Sequence, residues 1–316
     1  MRRKCSLIIL AILLAACAAE PTPTAVLPPT QTSVPPTRTP EALDARAAWL
    51  QENALVVNSI SPDDTDFSDL QGFGEMIGDA RVVMLGEETH GDGNTFLAKV
   101  RLIRYLHQEL GFDVIAFESG LHDCTRAWEM IQDGGVVDEA FGNSVFPIWS
   151  DSAQVQPLID YIEENAAGEH PLILAGFDNQ FTGNISTTYF ADDLVNFLEE
   201  RLGATPTGAE WEEFLSWAEV FTTYSSWQTP ADAESQARFF AEIASLQDQI
   251  REASPADDRD AALWLQVLDS LAATADMTWQ TMRVGQDNLW QYPEIGEIRD
   301  IQMGENLVWL ADTYYP

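Results

Sequence analysis

The chain has 316 residues, of which 46% are hydrophobic, and a formal net charge of −35. This is enough apolar material for one large domain or two small ones with a substantial core. The acidic excess argues against nucleic-acid binding and against docking on anionic lipid, because both require clustered Lys and Arg.

The N-terminal segment is typical of an exported bacterial lipoprotein. A short basic stretch precedes an apolar run that is too short to span a bilayer comfortably. The sequence LAAC at residues 14–17 resembles a lipobox, in which the cysteine is lipidated and becomes the new N-terminus. We therefore predict a lipoprotein signal peptide at residues 1–16, with an ordinary cleaved signal peptide as the alternative.

The next segment, residues 17–40, begins with Cys17 and is rich in Pro and Thr. Such composition predicts an extended spacer that buries little surface. The domain at 41–316 would then be tethered outside the cytoplasmic membrane, with the lipid as its only membrane contact. Cys124 would be the only unmodified cysteine, and we interpret it as a buried thiol rather than a nucleophile.

Hydrophobic periodicity predicts alternating helices and strands in the first half of this domain. In chain order these are a helix at 41–57, a buried strand at 80–86, a helix at 94–110 capped by Asn94 or Thr95, a strand at 113–119, a short helix at 124–133, a helix at 152–168 and a strand at 171–178. Strands that are buried on both faces and alternate with helices indicate a parallel sheet covered by helices.

Helical patterns follow one another from about Ser186, with no convincing strand between them. The predicted fold class is therefore α/β, a central parallel sheet flanked by helices, with a large helical insertion or layer in the C-terminal half. This half carries most of the tryptophans, which either wall an apolar cleft or fill contacts between helices. We favour helix contacts for any single tryptophan.

Polar side chains follow each of the predicted strands. Glu87, Glu88 and His90 follow the first strand, Glu118 ends the second and Asp178 ends the third. Ligands of an open parallel sheet bind outside the carboxyl ends of its strands. The pattern therefore predicts a pocket of carboxylates around one imidazole, which can take a proton from water and return it to a leaving oxygen.

Two other interpretations of these residues remain open. His90 could cap the following helix while Glu87 satisfies backbone N–H groups of the turn. Alternatively, Glu87, His90 and Glu118 could bind a metal ion, although the sequence lacks an H-E-x-x-H motif and zinc generally prefers more nitrogen or sulfur ligands. We predict no metal and no cofactor.

The segment from Ile77 to Gly120 resembles the opening of the erythromycin esterase family. The hallmark is a Gly-Glu-x-x-His-Gly turn after a strand, then a basic residue, then a strand that ends in Glu. The matching positions are Gly86, Glu87, His90, Gly91, Lys99 and Glu118. The likeness continues through Trp149, "LAGFDNQ" and "RDIQMGENLVWL", and so covers nearly all of the chain from about Asp69.

The resemblance implies hydrolysis of a small-molecule ester, in the best-known members a macrolide lactone, without a required metal. His90 would be the base that activates water, and Glu87 and Glu118 would orient the base or hold the water. Lys99 stands where some members have Arg, and we assign it to substrate binding with Glu88 and Asp178. Macrolide resistance belongs to some relatives and is not implied for every member.

In the family, the helix that matches "RDIQMGENLVWL" leads into a strand that ends in a His-Asn-x-His motif. The sequence ends at Pro316, before that strand would begin. We therefore expect that the chain lacks the C-terminal part of the domain, and that the full-length protein is a carboxylic-ester hydrolase. The alternatives are a binding lipoprotein that keeps the pocket without turnover, and a metal-dependent hydrolase. The sequence identifies neither the substrate nor the oligomeric state.

Overall fold

A computed structural model describes residues 40–86, 89–223 and 230–316. The chain divides into two compact units, residues 1–54 and residues 55–316. The described part of the first unit is helix α1, Pro40–Asn53, whose side chains are exposed from Asp44 onward. The predicted helix at the start of the domain is confirmed.

The second unit is mostly helical. Its helices are α2 (Gln71–Ile77), α3 (Gly93–Leu110), α4 (Leu121–Gln132), α5 (Val137–Ser144), α6 (Pro147–Ser150), α7 (Gln156–Asn165), α8 (Asn184–Leu202), α9 (Ala209–Thr222), α10 (Ala233–Ala253), α11 (Arg259–Val284) and α12 (Pro293–Trp309). All of these helices except α2, α5 and α6 were predicted. A short π-helical turn, Leu310–Tyr314, follows α12. None of the helices in the described ranges has both the length and the apolar composition needed to cross a bilayer.

Two parallel strands form the sheet. Strand β1 (Val114–Gly120) pairs with β2 (Ile173–Asp178), and α4 to α7 make the crossover between them. The register becomes irregular towards the carboxyl ends. Gly176 permits this close approach, because a Cβ there would collide with the carbonyl oxygens of Ser119 and Gly120. The predicted fold class, a parallel sheet flanked by helices with a large helical layer, is confirmed.

The prediction of a strand at residues 80–86 is wrong. Residues 82–86 have no regular secondary structure, and the side chains of Val82 and Met84 are 50% and 81% exposed. A run of aliphatic residues becomes a strand only where a neighbour supplies ladder hydrogen bonds. In the part of the chain that the structure describes, only β1 and β2 pair in this way, and the apolar run instead lies along a cleft.

The helical layer contains the larger core. Trp211, Trp264 and Trp279 are buried there among phenylalanines of α8 to α10, which confirms the interpretation that tryptophans fill helix contacts. Trp290 differs, because its side chain is 80% exposed. Trp227 lies outside the described residues.

A second core lies between the sheet and helices α3, α4, α5 and α7. Cys124 belongs to it with no exposed surface, and burial raises the pKa of its thiol. A thiol in this state is a poor nucleophile, which confirms the interpretation of Cys124 as a buried residue.

Candidate active site

A large cleft runs along β1 in the second unit, with a volume of about 1250 Å³. Its walls come from residues 78–86, α3, β1, α12 and the residues after α12. Most of the lining is apolar, and the charged or titratable side chains on it are those of Asp79, Arg81, His90, Lys99, Asp113, Glu118 and Tyr315. A concave, mainly apolar surface with a few polar groups is the usual form of a small-molecule site.

Helix α3 begins at this cleft and carries Lys99 into its wall. The side chain of Asp92 accepts hydrogen bonds from the N–H groups of Asn94 and Thr95 at 3.1 and 3.4 Å, so Asp92 is the cap of the helix. The predictions that Asn94, Thr95 or His90 would be the cap are therefore wrong. One turn later the Lys99 ammonium lies 5.9 Å from the centre of the Phe96 ring, within the range of a cation–π contact.

His90 lies in the turn before α3, with its side chain exposed and on the lining of the cleft. Its ring meets Trp149 edge to face, with ring centres 6.3 Å apart. Gly91 follows with φ of 87°, a conformation that favours glycine and turns the chain into α3. The imidazole is thus beside an aromatic side chain and within reach of solvent, as a general base for water requires.

Glu118 lies near the carboxyl end of β1 and Asp178 ends β2, and Arg299 of α12 joins the two carboxylates. The guanidinium Nη2 lies 2.7 Å from Glu118 Oε1 and 2.5 Å from Asp178 Oδ2, and Nε lies 3.2 Å from Asp178 Oδ1. The Asp178 side chain is 2% exposed, whereas Glu118 is 39% exposed and lines the cleft. Burial alone would lower the pKa of Arg299, but the two carboxylates outweigh it and the pKa is raised.

Arg299 was not predicted as a site residue, although it begins the segment "RDIQMGENLVWL" that carries part of the family resemblance. A signal was present in the helix pattern. Arg299 and Asn306 lie two turns apart, so two polar residues occupy one face of α12. Asn306 is fully buried on that face and donates a hydrogen bond to the carbonyl of Phe177 at 3.0 Å.

Three of the predicted site residues, His90, Lys99 and Glu118, line one cleft. Asp178 is buried and bound by Arg299, so its contact with a substrate stays a prediction. The remaining predicted residues, Glu87, Glu88 and Cys17, lie outside the described residues. The described ranges hold no group of three or more His, Cys, Asp or Glu side chains arranged to bind a metal.

A second arrangement of polar side chains has the residue types of a nucleophilic hydrolase. Ser186 Oγ lies 2.9 Å from His122 Nδ1, and His122 Nε2 lies 3.6 Å from Asp193. Ser186 is 1% exposed and His122 is 4% exposed, and neither lines the cleft. A nucleophile must reach its substrate, and these buried side chains do not. We therefore interpret the group as a structural contact between α4 and α8.

Comparison with known proteins identifies the family. The erythromycin esterase family model matches residues 107–316. A Bacillus subtilis protein named putative hydrolase YbfO is 28% identical over 276 residues, which cover 85% of this chain and 60% of that protein. The Escherichia coli erythromycin esterase type II is 33% identical over 91 residues, which cover 29% of this chain and 22% of that protein.

Solved structures share the fold. A Bacillus cereus protein superposes with a TM-score of 0.64 at 19% identity, over 85% of this chain and 63% of its own. A protein described as a succinoglycan biosynthesis protein gives a TM-score of 0.63 at 19% identity, over 87% and 64%. The chain spans 60% of the length of the Bacillus subtilis relative and 63% and 64% of these two solved structures. Because the family model covers most of the sequence, the chain belongs to the erythromycin esterase family.

Proposed function

We propose that the protein is a hydrolase of ester or lactone bonds that works by general-base attack of water. The observation that carries this proposal is that His90, Lys99 and Glu118 line one large, mainly apolar cleft. Membership of the erythromycin esterase family and the name of the hydrolase relative support the same reaction class.

In the proposed reaction, His90 takes a proton from a water molecule while the water oxygen forms a bond to the ester carbonyl carbon. The tetrahedral intermediate then collapses, the bond to the alcohol oxygen breaks, and the imidazolium returns the proton to that oxygen. One water and one ester give one acid and one alcohol. Glu118, together with Glu87, would orient the imidazole or the water, and the Lys99 ammonium would stabilise the oxyanion. We assign Glu88 to substrate binding, and Asp178, which is 2% exposed, to the same side of the site through Arg299, which it binds.

Hydrolysis of a panel of aryl esters and lactones by the purified full-length protein tests this reaction. We expect His90→Asn to lower kcat/KM by about 100-fold or more, the usual effect of losing a general base. His170→Asn is the matched control, because His170 is exposed and absent from the cleft lining. Equal rates for the wild type and His90→Asn would contradict the proposal. Activity that chelators abolish would favour the metal-dependent alternative.

We also propose that the protein is held at the extracytoplasmic face of the bacterial cell membrane by a lipid on Cys17. The LAAC sequence and the Pro- and Thr-rich segment after it support this. Growth with an alkyne fatty acid should label the wild type and the Cys124→Ser variant but not Cys17→Ser. Label that persists in Cys17→Ser would contradict the proposal.

A further inference from the structure

Arg299 forms ion pairs with both Glu118 and Asp178 and so determines how much negative charge borders the cleft. Arg299 belongs to α12. The carboxylates that it binds, Glu118 and Asp178, lie at the carboxyl-terminal parts of β1 and β2, so its guanidinium connects three elements. The group carries one positive and two negative charges, since Arg299 neutralises one carboxylate only. The unneutralised negative charge is best placed on Glu118, because a charge costs less at a carboxylate that is 39% exposed than at Asp178, which is 2% exposed.

Buried contacts hold the base of this arrangement. Asp178 receives two hydrogen bonds from Arg299, which fix the plane of the guanidinium. Asn306 holds the same face of α12 against β2 through the carbonyl of Phe177. The arginine therefore presents Nη2 to Glu118 from a position set by buried contacts, while Glu118 itself borders solvent.

We propose that Arg299 is a positioning residue of the active site, which fixes the Glu118 carboxylate against buried Asp178 so that Glu118 faces the reaction centre at His90 in one orientation. This inference rests on the proposed function. Arg299 acts through Glu118 rather than on the substrate. Small errors in the placement of a catalytic group have large effects on rate, so the loss of this contact should lower kcat more than it changes KM.

The test is a double-mutant cycle in kcat with the purified full chain. Arg299→Lys keeps a cation that can pair with Asp178 but loses the planar fork that spans both carboxylates. We expect it to lower kcat by about 10-fold with KM changed by less than about 3-fold, and Arg299→Ala to lower kcat by about 100-fold. In a Glu118→Gln background, neither change at Arg299 should lower kcat further.

Arg238→Lys is the matched control. Arg238 also makes a bidentate pair with a carboxylate, that of Glu213, at 2.8 and 2.9 Å, but the pair lies between α9 and α10 and outside the cleft lining. Its replacement should leave kcat unchanged. Circular dichroism of each variant checks the fold, and Arg299→Lys carries the test if Arg299→Ala does not fold.

The outcomes separate the two proposals. Wild-type hydrolysis that His90→Asn abolishes, with non-additive effects of Arg299 and Glu118, supports both. Wild-type hydrolysis with kcat unaffected by Arg299→Lys, or with additive effects in the cycle, overturns the role of Arg299 and leaves the hydrolase intact. A full-length protein that is inert towards every ester overturns both proposals.

Discussion

Arg101 donates hydrogen bonds to both carboxylate oxygens of Asp69, at 2.7 and 3.2 Å, and the two side chains are 2% and 3% exposed. The same guanidinium also donates to the carbonyl oxygens of Ser59 and Asp66. These contacts hold the extended segment before α2 against α3, the helix that carries Lys99. The hydrogen bond from Arg101 is the main reason that the pKa of Asp69 is lowered.

We expect Arg101→Ala to lower the free energy of unfolding by about 3–5 kcal/mol, because it leaves the Asp69 carboxylate buried without its partner. Urea unfolding measures this change. The control is Arg251→Ala, which removes an exposed pair with Asp248 at 3.2 Å and should cost less than about 1 kcal/mol. A cost for Arg101→Ala as small as that of the control would contradict the prediction.

The carboxyl of Asp123 makes stability depend on pH. It is fully buried and accepts hydrogen bonds from the N–H groups of Gly183 and Ser186 at the start of α8, and burial raises its pKa from 3.8 to about 6. Between these two values the folded state binds more protons than the unfolded state. The contribution of Asp123 to stability is therefore present below about pH 4 and is lost as the pH rises to about 6.

We expect the stability of the wild type relative to Asp123→Asn to fall by about 2 kcal/mol between pH 4 and pH 6.5, since a pKa shift of one unit corresponds to about 1.4 kcal/mol and this range covers most of the titration. Urea unfolding of both proteins across this range measures the difference. Asp192→Asn, at an exposed position on α8, should track the wild type. A difference between wild type and Asp123→Asn that does not change with pH would refute this assignment.

Asn306 connects α12 to both β2 and α11. Its amide donates to Phe177 O and Ser270 Oγ at 3.0 Å each, and its carbonyl accepts from Gln266 and Gln302 at 2.7 and 3.0 Å. Asn306→Leu keeps the size but leaves these buried groups without a partner. We expect a loss of about 2–4 kcal/mol in unfolding free energy. The exposed Asn288→Leu should cost less than about 1 kcal/mol.

Lys99 offers a test of charge in the cleft. If its ammonium stabilises the oxyanion, Lys99→Met should lower kcat/KM for esters by about 10-fold or more, while a Lys99→Arg enzyme keeps the charge and changes mainly the preference among substrates. Steady-state kinetics on the ester panel measures both. Arg283→Met, an exposed change at the end of α11, should have no effect. Unchanged kinetics in Lys99→Met would contradict the role of Lys99 in stabilising the oxyanion.

Local patterns in the sequence were sufficient for most of the fold. The 3.6-residue period predicted α3 and the helical layer, and short aliphatic runs predicted β1 and β2, because burial of one face dictates these patterns. The run at 80–86 has the same composition and is not a strand. Its conformation depends on whether another backbone lies beside it, which residue types alone do not encode.

The site was predictable in part. Glu118 lies near the carboxyl end of β1, the edge where ligands of parallel sheets bind. His90 follows no strand, because residues 82–86 have no regular secondary structure, and it reaches the cleft from the turn before α3. Arg299 was missed because an arginine in a helix usually points to solvent, and its partners are far away in sequence. Asp178 was identified for the same reason as Glu118, but nothing in the local sequence indicates that Asp178 would be buried while Glu118 stays partly exposed.

The burial of Cys124 gives the fold an internal reporter. With no accessible surface and a suppressed thiolate, this sulfur reacts with an added maleimide or disulfide reagent only in molecules whose second core has opened. In a chain in which Cys5 and Cys17 are replaced by serine, the rate of thiol modification under native conditions therefore measures opening events around β1, the strand that borders the cleft.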